Sequence, residues 1–171
     1  MTRDVIYYIG TLGVFLILQV LFFSQLNLLD FGFCFIYVGF FLMLPYDLDR
    51  LLGLIIGFAV GFLIDTFYQS GGIHIAASVF LMFIRPGLLS LLNPKGGFEL
   101  GMRLTLNQMG WSWYLLYSSI LVFAHHLVLY SLDAFSFSYL LKILLYAGVS
   151  TIFSIVMILT VQFLLFSKAR T

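Results

Sequence analysis

The chain has 171 residues, of which 63% are hydrophobic and only 9% charged, with a formal net charge of +1. Such a composition excludes an ordinary soluble domain, and without a clustered basic patch it excludes a nucleic-acid surface. Length and hydropathy together set the expectation of an all-α integral membrane protein with about six spans of roughly 20 residues, so that any soluble catalytic machinery would belong to a partner.

In chain order, the first span is expected over 5–24, an apolar run interrupted by Thr11 and Gln19 and longer than the core of a signal peptide. A second, over 28–45, is barely long enough to cross and ends at Pro45-Tyr46. Its single cysteine, Cys34, has no intrachain mate. Asp47, Asp49 and Arg50 form a charged turn before a third span over 50–68. A turn over 69–72 leads to a fourth span over 73–92, which carries Arg85-Pro86 and is expected to kink or stop there. The loop 93–110 is the longest polar stretch. In it Phe98, Leu100, Met102, Leu104 and Leu106 alternate with small or polar residues, a strand-like period that fits an extended loop on the membrane surface or an edge offered to a partner. The fifth and sixth spans are expected over 111–132 and 139–166.

Basic residues set the orientation. Arg3, Arg50, Lys95, Arg103, Lys168 and Arg170 fall on one side if there are six spans, and only Lys142 sits toward the other. The positive-inside rule then puts both termini in the cytoplasm.

Gly53, Gly57, Gly61 and Asp65 are spaced four apart in the third span, so on a helix they form one ridge of three notches followed by a carboxylate. Glycine at this interval lets a second helix approach closely, and an acid on the same ridge is expected in a helix bundle or polar cleft rather than in lipid. On the same side of the membrane as Asp65 fall Asp30, His74, His125, His126, Asp133 and Lys142; Asp47, Asp49, Arg50 and Arg85 form a second, cytoplasmic-side group. Either group has a static explanation as ion pairs holding helices in register.

Catalysis has less support. Asp65 and His74 straddle a turn, which gives a carboxylate and an imidazole for acid–base work, but Ser70 and Ser78 lie in no nucleophile-elbow pattern. His125 and His126 diverge by about 100° on a helix and do not readily bind one metal together. No Walker loop, dinucleotide fingerprint or zinc-helix motif occurs, so no enzyme, cofactor or metal is expected. A binding subunit with a cleft lined by Asp65 and His74 is the alternative.

The segment Gly61-Phe62-Leu63-Ile64-Asp65, followed by Gly72-Ile73-His74-Ile75-Ala76-Ala77, resembles the signature of the bacterial rod shape-determining protein MreD family. Gln19, Leu44-Pro45, Arg85-Pro86 and His125-His126 extend the resemblance along nearly the whole chain; Gly71 departs from it, since many members carry a larger residue there. The resemblance implies a multi-pass protein of the bacterial inner membrane, in the elongation machinery that maintains rod shape. Its partners would be a bitopic MreC-like protein and, indirectly, MreB filaments, a penicillin-binding transpeptidase and a RodA-type glycosyltransferase. It implies a fold similar to the six-helix substrate-binding subunits of energy-coupling-factor vitamin transporters. The expected function is a non-enzymatic scaffold acting on cell shape and peptidoglycan synthesis, in which an outer polar group around Asp65 docks a partner. The alternative is a small-molecule- or lipid-binding subunit.

Overall fold

A computed structural model describes residues 2–23, 27–28, 32–135 and 139–166. Asp30, Lys168 and Arg170 lie outside them. The helices are α1 (Thr2–Leu18), continued by a π-helical turn Gln19–Phe23, the short α2 (Val38–Met43), α3 (Arg50–Tyr68), α4 (Ile73–Leu91), the single turn α5 (Leu106–Met109), α6 (Trp111–Ala134) and α7 (Leu140–Phe166). Two-residue strands β1 (Asn27–Leu28) and β2 (Gly32–Phe33) pair antiparallel. Among the described residues five helices are long and apolar enough to cross a membrane: Asp4–Phe23, Arg50–Tyr68, Ile73–Leu91, Trp111–Ala134 and Leu140–Leu165. The protein is a multi-pass, mainly helical membrane protein.

The stretch expected as the second span takes another form. Among its described residues it is helical only over Val38–Met43, and every residue from Cys34 to Leu44 is buried. Its neighbours show its course. The Phe33 amide donates to Ser150 Oγ at 3.1 Å and the Phe35 amide to Ser154 Oγ at 2.9 Å, so successive turns of α7 receive successive parts of the segment. On α6 the contacts run the other way along the helix: Tyr130 lies at Phe33, His125 at Tyr37, and the Tyr117 hydroxyl donates to Leu42 O at 3.3 Å. Arg85 then holds the far end through Leu44 O and Pro45 O. The described part of the segment, from Phe33 to Pro45, therefore runs through the middle of the bundle, among the five long helices.

Irregular backbone is tolerated at membrane depth only where protein, not lipid, completes its hydrogen bonds. Side chains do this here: Ser150 and Ser154 accept from β2 and beyond, while Gln19 accepts from the Tyr37 amide at 3.3 Å and donates to Cys34 O at 3.0 Å. Gly39 provides room. A Cβ there would stand 2.7 Å from the Phe15 ring, so the bare backbone lets α1 lie against the segment.

α3 and α4 form a tight antiparallel hairpin. Asp49 caps α3 by accepting the Leu52 amide at 3.0 Å. α4 does not stop at Arg85-Pro86 but continues to Leu91, with Pro86 costing one helical hydrogen bond to Met82 O. The loop 93–110 folds onto its own chain: Arg103 bridges Pro45, Met102 O accepts the Tyr46 amide at 3.2 Å, and Gly101 N donates to Asp47 Oδ2 at 3.2 Å. Its alternating residues divide accordingly, with Leu104 and Leu106 buried and Leu100 exposed. Arg103 also pairs with Asp4 at 3.2 Å and lies over the Tyr7 ring, tying the loop to the start of α1.

Candidate functional site

The glycine ridge faces α4. A Cβ on Gly53 would meet the flexible Met82 Cε at 3.0 Å, one on Gly57 the Ser78 carbonyl oxygen at 3.0 Å, and one on Gly61 the Ile75 Cα at 2.6 Å. The helices converge toward the turn, where backbone touches backbone. Asp65 continues the ridge and is 7% exposed. Its carboxylate is held by its own hairpin: Oδ1 accepts from Ser70 Oγ at 2.5 Å and His74 N at 3.1 Å, and Oδ2 from Ile75 N at 2.8 Å. It thus satisfies free amides at the start of α4, where the helix dipole also favours negative charge. Gly71 and Gly72 make the turn possible, with φ of +65° and +101°.

Beyond this cap lies a histidine–tyrosine cluster contributed by the irregular segment, α3, α4 and α6. The Tyr37 hydroxyl, on the irregular segment, sits 3.0 Å from His74 Nδ1 and 2.7 Å from His125 Nε2. His126 turns away from this pair, as adjacent helical positions must, and its Nδ1 lies 2.7 Å from Val122 O. Phe35 packs between His74 and His126, with ring centroids 5.2 and 5.5 Å away. Tyr68 closes the cluster over His74 and receives a 2.7 Å hydrogen bond from Gln19 Nε2. His125 and His126 are wholly buried and His74 is 4% exposed. Two buried atoms, Ser78 Oγ and His125 Nδ1, have no hydrogen-bond partner among the described residues.

The fold therefore brings Asp65 and His74 together through the backbone amide of His74, while His125 meets His74 only through Tyr37. Phe35 and Tyr37 pack among the three histidines, on the side of His74 away from Asp65's backbone contact, where the sequence pattern allows a cleft. No group of three metal-binding side chains occurs among the described residues.

No family model, curated protein or solved structure matches the chain.

The second group of sequence-predicted residues divides. Arg85 is 2% exposed and reaches into the opposite end of the core, where Nε donates to the Tyr117 hydroxyl at 2.9 Å and Nη2 to Leu44 O at 2.5 Å and Pro45 O at 3.2 Å. Among the described residues no acid lies within ion-pairing distance of it, so carbonyl dipoles and a phenol carry the whole task of replacing water. Asp47, Asp49 and Arg50 are exposed at the same end. Asp49 caps α3, and Asp47 receives the loop.

The residues that sequence reasoning passed over are those serving the irregular segment: Tyr37, Ser150, Ser154 and, near the loop, Gln162, which donates to Tyr114 and accepts the Leu106 amide at 3.3 Å. Ser150, Ser154, Ile158 and Gln162 recur every four residues on one face of α7. That spacing is visible in the sequence and marks a face turned toward protein.

Proposed function

We propose that this chain is a non-enzymatic membrane scaffold of a bacterial cell-elongation complex, as its resemblance to the MreD family implies, which binds an MreC-like bitopic protein and acts on peptidoglycan synthesis through it. The observation that carries the reading is the self-containment of the polar interior. Asp65 is engaged by three donors of its own hairpin, and the Tyr37 hydroxyl stands between two buried histidines. Chemistry on a substrate needs access to a reactive group, and these groups face one another. A ligand lodged among the histidines, as a vitamin-transporter-like binding subunit would hold it, needs the space that Phe35 and Tyr37 occupy. Both termini lie in the cytoplasm in this reading, because Arg50, Lys95 and Arg103 share the end of the bundle where α1 begins. The five long helices with the buried segment between them support a likeness to the energy-coupling-factor binding subunits as architecture.

Docking then belongs to the protein's outer surface and its ends rather than to Asp65. The test is affinity purification from native membranes. A bitopic partner should co-purify in a fixed ratio, and depletion of the chain should round the cells. Absence of any bitopic partner together with unchanged cell shape would overturn the proposal.

A further inference from the structure

At the end of the bundle away from Arg103, a cleft of about 240 Å³ opens between the last turn of α6 and the first turns of α7. Its walls carry Tyr130 and Asp133 from α6 and Tyr139, Lys142 and Tyr146 from α7. The spacing explains the convergence: residues three or four apart share a helix face. Asp133 and Lys142 are both exposed and line the same cleft, yet they form no ion pair with each other. Lys142 instead extends over the Tyr146 ring, with Nζ 5.2 Å from its centroid. Tyr146 meets Tyr130 edge-on at 5.9 Å, and the Tyr130 hydroxyl is fixed 2.6 Å from Ser150 Oγ. The result is a rigid aromatic wall with a cation held against it and an anion on the neighbouring helix.

Two opposite charges that share a concavity without neutralising each other present a dipole, which is matched by a ligand carrying an ammonium and a phosphate a few bonds apart. Aromatic faces add cation attraction, and tyrosines concentrate at the level of lipid headgroups. We propose that this cleft binds the headgroup of a zwitterionic aminophospholipid such as phosphatidylethanolamine, with the phosphate at Lys142 and the ammonium at Asp133 and the tyrosine rings. The site adjoins the histidine cluster only through Tyr130, which stacks on His126 at 6.3 Å, and it is independent of the scaffold reading.

Native mass spectrometry of the full-length protein, offered equal amounts of phosphatidylethanolamine and phosphatidylglycerol, tests this. The wild type should retain the ethanolamine lipid preferentially. Asp133→Asn should reduce that preference about tenfold, the scale expected on losing one charge-assisted contact, while Lys142→Gln should lower retention of both lipids. Both side chains are exposed, so melting temperatures should not change. Competition by free phosphoethanolamine would show that the headgroup suffices; its failure to compete, with the lipid still retained, would assign the intact lipid. Equal retention of the two lipids by the wild type, or an unchanged preference in Asp133→Asn, would overturn the proposal.

Discussion

Asp65 Oδ2 accepts the backbone amide of Ile75 at 2.8 Å, directly beside the point where Gly61 meets the Ile75 Cα. A carboxylate and a missing side chain thus act on one residue of the opposing helix. The first fastens the helix start, and the second lets it come close enough to be fastened. Asp65→Ala should therefore lower the stability of the purified protein by about 1–3 kcal/mol, since it strands buried amides, and Asp65→Asn by less because one acceptor remains. Thermal unfolding in detergent measures both.

The glycine ridge predicts a graded series. Alanine gains about 1 kcal/mol of helix propensity over glycine at each position, and this is set against what its Cβ meets. At Gly53 it meets a flexible Met82 tip 3.0 Å away, at Gly57 a carbonyl oxygen at the same distance, and at Gly61 a backbone carbon at 2.6 Å. Gly53→Ala should be near neutral, Gly57→Ala mildly destabilising, and Gly61→Ala should cost about 1–3 kcal/mol or more. A melting series in any other order would contradict the described convergence of α3 and α4.

Tyr37→Phe removes one oxygen and leaves both His74 Nδ1 and His125 Nε2 without their shared partner. The expected loss is about 1–3 kcal/mol. It should shrink when His125→Phe is added, because part of the penalty is the stranded imidazole itself. Additive losses in the double variant would show that the two side chains do not interact.

Arg85 is replaceable neither by lysine nor by alanine. Its planar fork reaches the Tyr117 hydroxyl and two carbonyls at once, whereas a lysine ammonium is a single, strongly hydrated point. Arg85→Lys should lower the melting temperature clearly, and Arg85→Met less than Arg85→Lys, because methionine removes the buried charge along with its contacts. Equal stability of Arg85→Lys and wild type would refute this.

The helices were legible in the sequence because hydropathy and length report spans directly, and the four-residue recurrence of Gly53, Gly57 and Gly61 marked a packing face. What pairs with that face was not legible, since spacing describes one helix and says nothing of its neighbour. The segment 28–45 reads as a helix by composition alone. Its real form depends on Ser150, Ser154 and Gln19, more than a hundred residues away in the first two cases, which satisfy backbone groups that a helix would satisfy itself. Asp65 was recognisable as costly and inward-facing. That its donors would be Ser70 and the start of the next helix followed only from the left-handed turn at Gln69, Gly71 and Gly72.

The protein's own irregular segment fills the middle of the bundle, with every residue from Cys34 to Leu44 buried. Cys34 is wholly buried within that segment and is the only cysteine, so the unmodified chain carries its own probe. Maleimide labelling of the purified protein, before and after denaturation in dodecyl sulfate, measures it most directly. The closed centre predicts negligible labelling of the folded protein and complete labelling once it unfolds. Rapid modification of Cys34 in the folded state, at a rate close to that of the unfolded chain, would show an open cavity and contradict the account.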